Sequence, residues 1–435
     1  MVNKVERIRW NYCRGFLLLA LPVLLAVVPE PAWGRENILS GSFDLRQEYD
    51  SNIHRTATDR RSSWYTVLAP GFLYRSRAPK NQFQFGYNLG FRHNHTTGGE
   101  SLEHNLLLQG DAEFSPRWQA GIMNRFYLSD DSDFAGDPIP DVDPELSPRR
   151  ERERFRLNTF SVHSDYQFAR HGNLNLGYDN RILRNKAGTR DDYIRHHPNV
   201  TVGYQLSQRW GTEVGYGYIR GDFDQGDDLE THAADLRMIY QHSHQDQFSV
   251  RYGYNQTDYR GETTDYRLHT VNGNWTRHFD PHTTLSTTVG GTRVKRESRN
   301  DSDFLAGSAE LTRKFQRGSI SLGGSAGVDE RQFAGGDEGD LSRFRQVRIS
   351  GNRQLLERLR GDARLSWRQN DFIDRAAANR ERIYEAGCGL AYILGRGYKL
   401  STRYRFRELD VRDGDGYEDH RVYLELSVVR DLFKW

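Results

Sequence analysis

The stretch Gln82-Phe83-Gln84-Phe85-Gly86-Tyr87-Asn88-Leu89-Gly90-Phe91-Arg92 decides the fold class. Every second residue, from Phe83 to Phe91, is large and apolar, and the residues between are polar or glycine. A period of two puts the apolar set on one face of an extended strand; a helix would need spacings of three and four. Val214, Tyr216 and Tyr218, then Phe248, Val250, Tyr252 and Tyr254, and finally Leu400, Thr402, Tyr404 and Phe406 repeat the pattern. Alternating runs of about ten residues are the signature of a strand that crosses a bilayer, apolar outward and polar toward a lumen.

Outward from that strand, the connections alternate between short and long. Tight segments fall at Arg77 to Asn81, Ser115-Pro116-Arg117, Arg170-His171-Gly172, Ser207-Gln208-Arg209, Ser243 to Asp246, Asp280-Pro281-His282, Gln316-Arg317-Gly318, Glu357-Arg358 and Gly395-Arg396-Gly397. Hydrophilic loops lie between them, at Asp50 to Ser62, Ser129 to Arg152, Arg220 to Leu229, Asp329 to Leu341 and Asp410 to Asp419, and are expected to face outward. The repeating unit is a β-hairpin of about 40 residues. The expected fold is therefore all-β: a transmembrane antiparallel up-and-down β-barrel of about twenty strands, with eighteen as the alternative. In such barrels the turns are periplasmic, the long loops extracellular and both termini periplasmic. A soluble β-propeller also repeats at about 40 residues, but its blades hold four short strands each and give no reason for loops of alternating length.

Composition agrees by exclusion. The 435 residues hold only two cysteines, too few for a disulfide-framed secreted scaffold. Aromatic residues make up 12% against 12 prolines, the reverse of a disordered chain. With 28% of its residues charged, the chain is too polar for a bundle of membrane helices.

Residues 1–34 read as a cleaved secretory signal peptide. Lys4, Arg7, Arg9 and Arg14 precede the apolar run Phe16 to Val28, and Ala32-Trp33-Gly34 offers small residues for cleavage before Arg35. The apolar run is short for a transmembrane helix, so an uncleaved anchor is the weaker alternative. The leader takes four of the 61 basic residues and two of the 59 acidic ones, which balances the mature chain 35–435 at 57 of each. No basic field argues for nucleic acid.

The segment Asp44 to Phe72, with Glu48-Tyr49-Asp50-Ser51-Asn52-Ile53 at the first loop and Pro70-Gly71 in the second strand, resembles the opening of a family of outer-membrane β-barrel porins. Members of that family accompany exopolysaccharide biosynthesis and export loci, and some are called EpsL-like. The resemblance implies a barrel in the bacterial outer membrane and, more narrowly, a polysaccharide solute. Asp50, Ser51 and Asn52 are turn formers, and Pro70, which lacks a backbone donor, is expected at a local irregularity. The chain ends Phe433-Lys434-Trp435 after the alternating Val422, Leu424, Leu426 and Val428, which resembles the signal read by barrel assembly machinery. A parity change near Arg430-Asp431 predicts a bulge there.

If the apolar set faces lipid, the opposite set faces the lumen, and in the last third it is rich in arginine: Arg348, Arg364, Arg368, Arg403, Arg405 and Arg407. Guanidinium groups along an aqueous passage attract carboxylates or phosphates and release them again. The plainer possibility is that they pair with Asp362, Glu385 and Glu425 and brace the wall. Asp130, Asp131, Asp133, Asp137, Asp141 and Asp143 make one loop acidic, and Asp413-Gly414-Asp415-Gly416-Tyr417-Glu418-Asp419 resembles part of a calcium loop without its full ligand spacing. The pairs His93 with His95, His196 with His197 and His242 with His244 lack a further ligand in register, and Cys388 falls on the apolar face. No metal or cofactor is expected, and no nucleophile elbow or zinc-protease helix suggests an enzyme.

The expected function is a passive channel for exopolysaccharide or a charged oligosaccharide. The alternative is a non-conducting barrel that docks components of a polysaccharide secretion apparatus. The expected partners are outer-membrane lipid and lipopolysaccharide, the assembly machinery and periplasmic export components.

Overall fold

The computed structural model describes residues 35–130, 154–186, 192–296, 300–333, 341–373, 380–412, 414 and 416–435. The leader, Asp131 to Asp143, Asp413 and Asp415 lie outside them.

Twenty strands follow one another. They are β1 Glu36–Asp50, β2 Ser63–Arg77, β3 Asn81–Asn94, β4 Glu100–Ser115, β5 Trp118–Ser129, β6 Phe155–Ala169 and β7 Gly172–Asn185. Next come β8 Tyr193–Gln205, β9 Trp210–Phe223, β10 Leu229–Gln241, β11 Asp246–Tyr259, β12 Tyr266–Asp280, β13 Thr283–Arg296 and β14 Ser302–Phe315. The last six are β15 Gly318–Glu330, β16 Leu341–Leu356, β17 Leu359–Phe372, β18 Arg380–Gly395, β19 Tyr398–Val411 and β20 Tyr417–Lys434. Each pairs antiparallel with its sequence neighbours, and β1 pairs with β20 to close the sheet. Closure leaves no edge with unpaired backbone groups, the condition for a sheet to cross a membrane. The count is twenty, not the alternative eighteen.

Register fixes which residues share a face. Phe72 sits opposite Tyr87, Tyr216 opposite Ala234, and Tyr404 opposite Val422. This set includes Leu305 and Val289, which are 89% and 74% exposed, and it forms the apolar exterior of the barrel. At the end with short turns, Phe114, Trp118, Phe168, Trp210, Phe248, Phe279, Phe315 and Trp435 all lie exposed. Aromatic side chains collect at membrane interfaces because one end of the ring system is apolar and the other tolerates water. A second aromatic row runs near the long-loop end. Five tyrosine hydroxyls there lie 2.8–2.9 Å from a histidine Nδ1 on the next strand: Tyr87 with His104, Tyr178 with His196, Tyr216 with His232, Tyr252 with His269 and Tyr404 with His420.

The irregularities fall where backbone chemistry requires them. Pairing of β2 with β3 lapses at Ala69-Pro70, and that of β8 with β9 at His197-Pro198, because proline offers no N–H. The expected bulge near the C-terminus is present: Ser40 pairs with Asp431 and Leu39 with Phe433, which leaves Leu432 as the extra residue. The turn between β18 and β19 uses Gly397 at φ 80°, where an added Cβ would lie 2.1 Å from the Val429 carbonyl oxygen.

One expectation needs correction. The loops beginning at Asp50 and Asp329 do not simply face outward. Asn52, Ile53 and Arg55 are buried, as is Phe333 at the last described position after β15. Both loops turn in because their first residues have partners inside the barrel.

Candidate functional site: the lumen and its mouth

All six predicted arginines lie on the lumen-facing parity. Arg348 is paired in register with Ser366, Arg364 with Ser350, and Arg368 with Gln346; Arg403, Arg405 and Arg407 sit opposite Gly389, Gly387 and Glu385. They therefore form one wall, β16, β17 and β19, with β18 between. Two of the six are visibly braced. Arg407 is buried and ion-paired with Glu385, and Arg368 reaches Asp329 at 2.5 Å while lying over the Phe344 ring at 4.7 Å. Arg348 is exposed, whereas Arg364, Arg403 and Arg405 are half-buried, each with an electrostatic or hydrogen-bonding neighbour. The glycines opposite Arg403 and Arg405 carry no side chain of their own, and the Asp362 carboxylate lies over Gly389, where an added Cβ would meet it at 3.0 Å.

Toward the long loops the lumen is tied by buried ion pairs that the sequence did not announce. Arg92 donates to Glu48 at 2.6 Å, to Glu103 at 3.0 Å and to Asp130 at 3.1 Å, with Tyr65 beneath it at 4.3 Å. Arg421 lies 3.2 Å from Asp50 and 2.8 Å from Asp419. Glu48 and Asp50 belong to the Glu48-to-Ile53 motif, in which Asp50 reads from sequence as a turn former. Their even numbering, shared with Asp44 and Arg46, is the signal that places them on the lumen face. Asn52 completes the motif's work by donating to the Glu418 carbonyl at 2.9 Å and the Thr56 carbonyl at 2.8 Å.

The segment Glu330 to Phe333 crosses the mouth. Glu330 accepts from Asn255 Nδ2 at 2.8 Å and from the Tyr266 hydroxyl at 3.0 Å. Arg331 pairs with Glu381 on β18 at 3.0 Å and covers Phe372 at 5.2 Å. Gln332 donates to Thr257 at 3.1 Å and also to Tyr266. Phe333 packs with Tyr193 and Phe223, at centroid distances of 5.1 and 5.4 Å, under Arg195 at 5.2 Å. Phe155, Leu157, Leu183 and Leu229 complete that apolar nest. These partners stand on β8 to β12 on one side and β17 and β18 on the other, so a chain leaving β15 can meet them all only by spanning the opening. The nest consists of lumen-facing apolar residues, and the ring of Phe333 is buried among them.

The other candidates separate. His93 and His95 meet edge-on at 4.9 Å, with Glu100 3.7 Å from His93. His196 belongs to the outer Tyr-His row, and His197 faces Asp179 at 3.9 Å. His242 and His244 occupy the turn after β10. Among the described residues no three His, Cys, Asp or Glu side chains gather as metal ligands. Cys388 is exposed on the outer face. Glu425 pairs in register with Arg46 and Ser401, and Asp362 with Asn352 and with Gly389, the glycine opposite Arg403.

A family model described as putative beta-barrel porin 2 matches residues 316–430, from the turn before β15 into β20, the part that carries the arginine wall. No curated protein sequence matches the chain. Among solved structures, Acinetobacter baumannii OccAB4 is 10% identical, covering 93% of this chain and 100% of its own, with a TM-score of 0.42. Pseudomonas aeruginosa OccK2 (OpdF) in complex with glucuronate is 10% identical over 91% and 98%, with a TM-score of 0.44. Pseudomonas aeruginosa OprD is 9% identical over 91% and 96%, with a TM-score of 0.38.

Proposed function

We propose that this chain is an outer-membrane channel that passes small anionic solutes, with the arginines of β16 to β19 as its selective wall and Glu330 to Phe333 as its constriction. The carrying observation is that Arg348, Arg364, Arg368, Arg403, Arg405 and Arg407 share the lumen face of one sector of a closed barrel. Successive guanidinium groups replace a carboxylate's water contacts a few at a time, so the solute advances without being trapped. The match to the porin family model over the same sector supports this reading. Transport of this kind needs no cofactor and no catalytic residue.

In this reading residues 1–34 are removed on secretion, both termini and the short turns are periplasmic, and the long loops are extracellular. Trp435, stacked on Tyr74 at 6.2 Å and exposed at the short-turn end, then serves assembly before it settles into the inner aromatic row. The narrower form of the proposal takes exopolysaccharide or a charged oligosaccharide as the solute. It is consistent with an arginine ladder that would follow uronate carboxylates, and it requires a polymer to displace the crossing segment. The second reading, a non-conducting barrel that docks periplasmic or surface partners, draws its support from that same segment and from the buried ion pairs at the mouth.

Conductance of the purified protein in a planar bilayer tests the proposal. Steady conductance with anion preference upholds the channel; a folded barrel that never conducts, even without residues 331–340, leaves the docking reading.

A further inference from the structure

The outer face of β12 and β13 carries an arrangement that a channel does not need. Arg267 and Lys295 are direct cross-strand partners, and His269 and Arg293 are the next pair on the same face. That face is the exterior, since it includes the exposed Val271 and Val289. Like charges placed directly opposite on neighbouring strands repel, so such a pair needs a reason. Several other outer-rim cations have carboxylates: Arg220 has Asp222, Arg260 has Glu230, Arg380 has Asp371, Arg382 has Asp410, and Arg184, which stands opposite Arg156, has Asp192 and Asp224. Here Arg293 is held by Asp303 through bonds of 2.7 and 3.0 Å. Arg267 and Lys295, both exposed, have no carboxylate partner among the described residues.

Their height on the barrel supplies the reason. His269 is the histidine of the Tyr252 pair in the outer aromatic row, and Arg267 and Lys295 stand two residues beyond it toward the long loops. A row of tyrosines and histidines marks the interface, so the next level out is that of the lipid headgroups. An anion between Arg267 and Lys295 converts their repulsion into two charge-assisted contacts, with acyl chains lying below along Val271 and Val289.

We infer that Arg267 and Lys295, flanked by Arg293 and His269, form a binding site for the phosphate groups of the outer-leaflet lipid. The site rests on the outer-membrane reading given above and adds to it a fixed lipid on one sector of the wall. Mobile lipid held there would also anchor the rotational setting of the barrel in its leaflet.

The test uses the full mature barrel in a zwitterionic detergent, titrated with bisphosphorylated lipid A, dephosphorylated lipid A and inorganic phosphate, with complexes counted by native mass spectrometry. Arg267→Gln with Lys295→Gln should weaken bisphosphorylated lipid A by about thirtyfold, the effect of two basic groups at an anionic lipid surface. Arg380→Gln with Arg382→Gln, which removes two rim cations already paired with carboxylates, should leave that affinity within about threefold. Heat-dependent gel mobility confirms that each variant is folded. Equal loss from both pairs, equal binding of the dephosphorylated lipid, or inorganic phosphate displacing the lipid at matched concentration would each overturn the site. Cell fractionation separates this from failure of the underlying reading: a barrel absent from the outer membrane ends both, whereas a barrel found there that binds lipid without regard to phosphate ends only the site.

Discussion

Arg421 of the last strand and Asp50 of the first are held 3.2 Å apart with both side chains fully buried, across the seam where β20 meets β1 and closes the barrel. Asp419 shares the same guanidinium at 2.8 Å. The seam at the mouth is thus tied by a network whose parts cannot be removed singly.

Arg421→Ala is accordingly expected to cost about 3–5 kcal/mol of stability, because Asp50 and Asp419 stay buried and lose the guanidinium they share. Arg421→Met with Asp50→Asn and Asp419→Asn should cost much less. The measurement is the temperature at which the folded, fast-migrating form is lost on gels. A single variant as stable as the triple one would refute the role given to the network.

Phe333→Ala should widen the passage. It removes the ring seated among Tyr193, Phe223, Leu183 and Leu229, a change worth about 3–5 kcal/mol for a buried phenylalanine, and loosens the crossing segment. Single-channel conductance should rise while the strand content seen by circular dichroism stays fixed. Unchanged conductance in a conducting barrel would show that the segment does not lie in the path.

The first and last strands show what could be read from sequence and what could not. Alternation in Phe83 to Phe91 and the rhythm of short and long connections were enough for the closed barrel, because period two and hairpin length are local properties. The same parity puts the six arginines on the face opposite the exposed apolar set. Partners on strands that do not pair with each other were not legible. Arg92 finds Glu48, 44 residues away, and Glu330 finds Asn255, 75 residues away, only once the wall has curved, and no local spacing records that curvature. The inward turn of the loop after Asp329 was missed for the same reason: its hydrophilic composition hid one phenylalanine whose nest is assembled from β6 to β10. Lumen-facing Phe155, Leu157, Leu183 and Leu229, apolar on a polar parity, were the signal that could have found it.

The loops after β9 and β11 are tied by a pH-sensitive contact. Thr263 donates its hydroxyl to Asp227 at 2.7 Å and its backbone N–H at 2.8 Å, and these bonds hold the Asp227 carboxyl below its ordinary pKa. A group whose pKa is depressed on folding stabilises the folded contact above its unfolded pKa, and that contribution is lost as pH falls through the lower, folded value. Spin labels at Gln225 and Glu262 should therefore report a single short separation at neutral pH. The separation should broaden only below the pH at which a free aspartate is half protonated. Thr263→Val should abolish the short separation at every pH. A distribution that broadens near neutrality would contradict the assignment.

The arginine wall is tested most directly by ion selectivity, read from the reversal potential of single channels under a salt gradient. The account predicts anion preference for the native chain, reversed or abolished in Arg403→Glu with Arg405→Glu, in barrels that assemble normally. A conducting barrel whose reversal potential is the same with and without those two charges would contradict it.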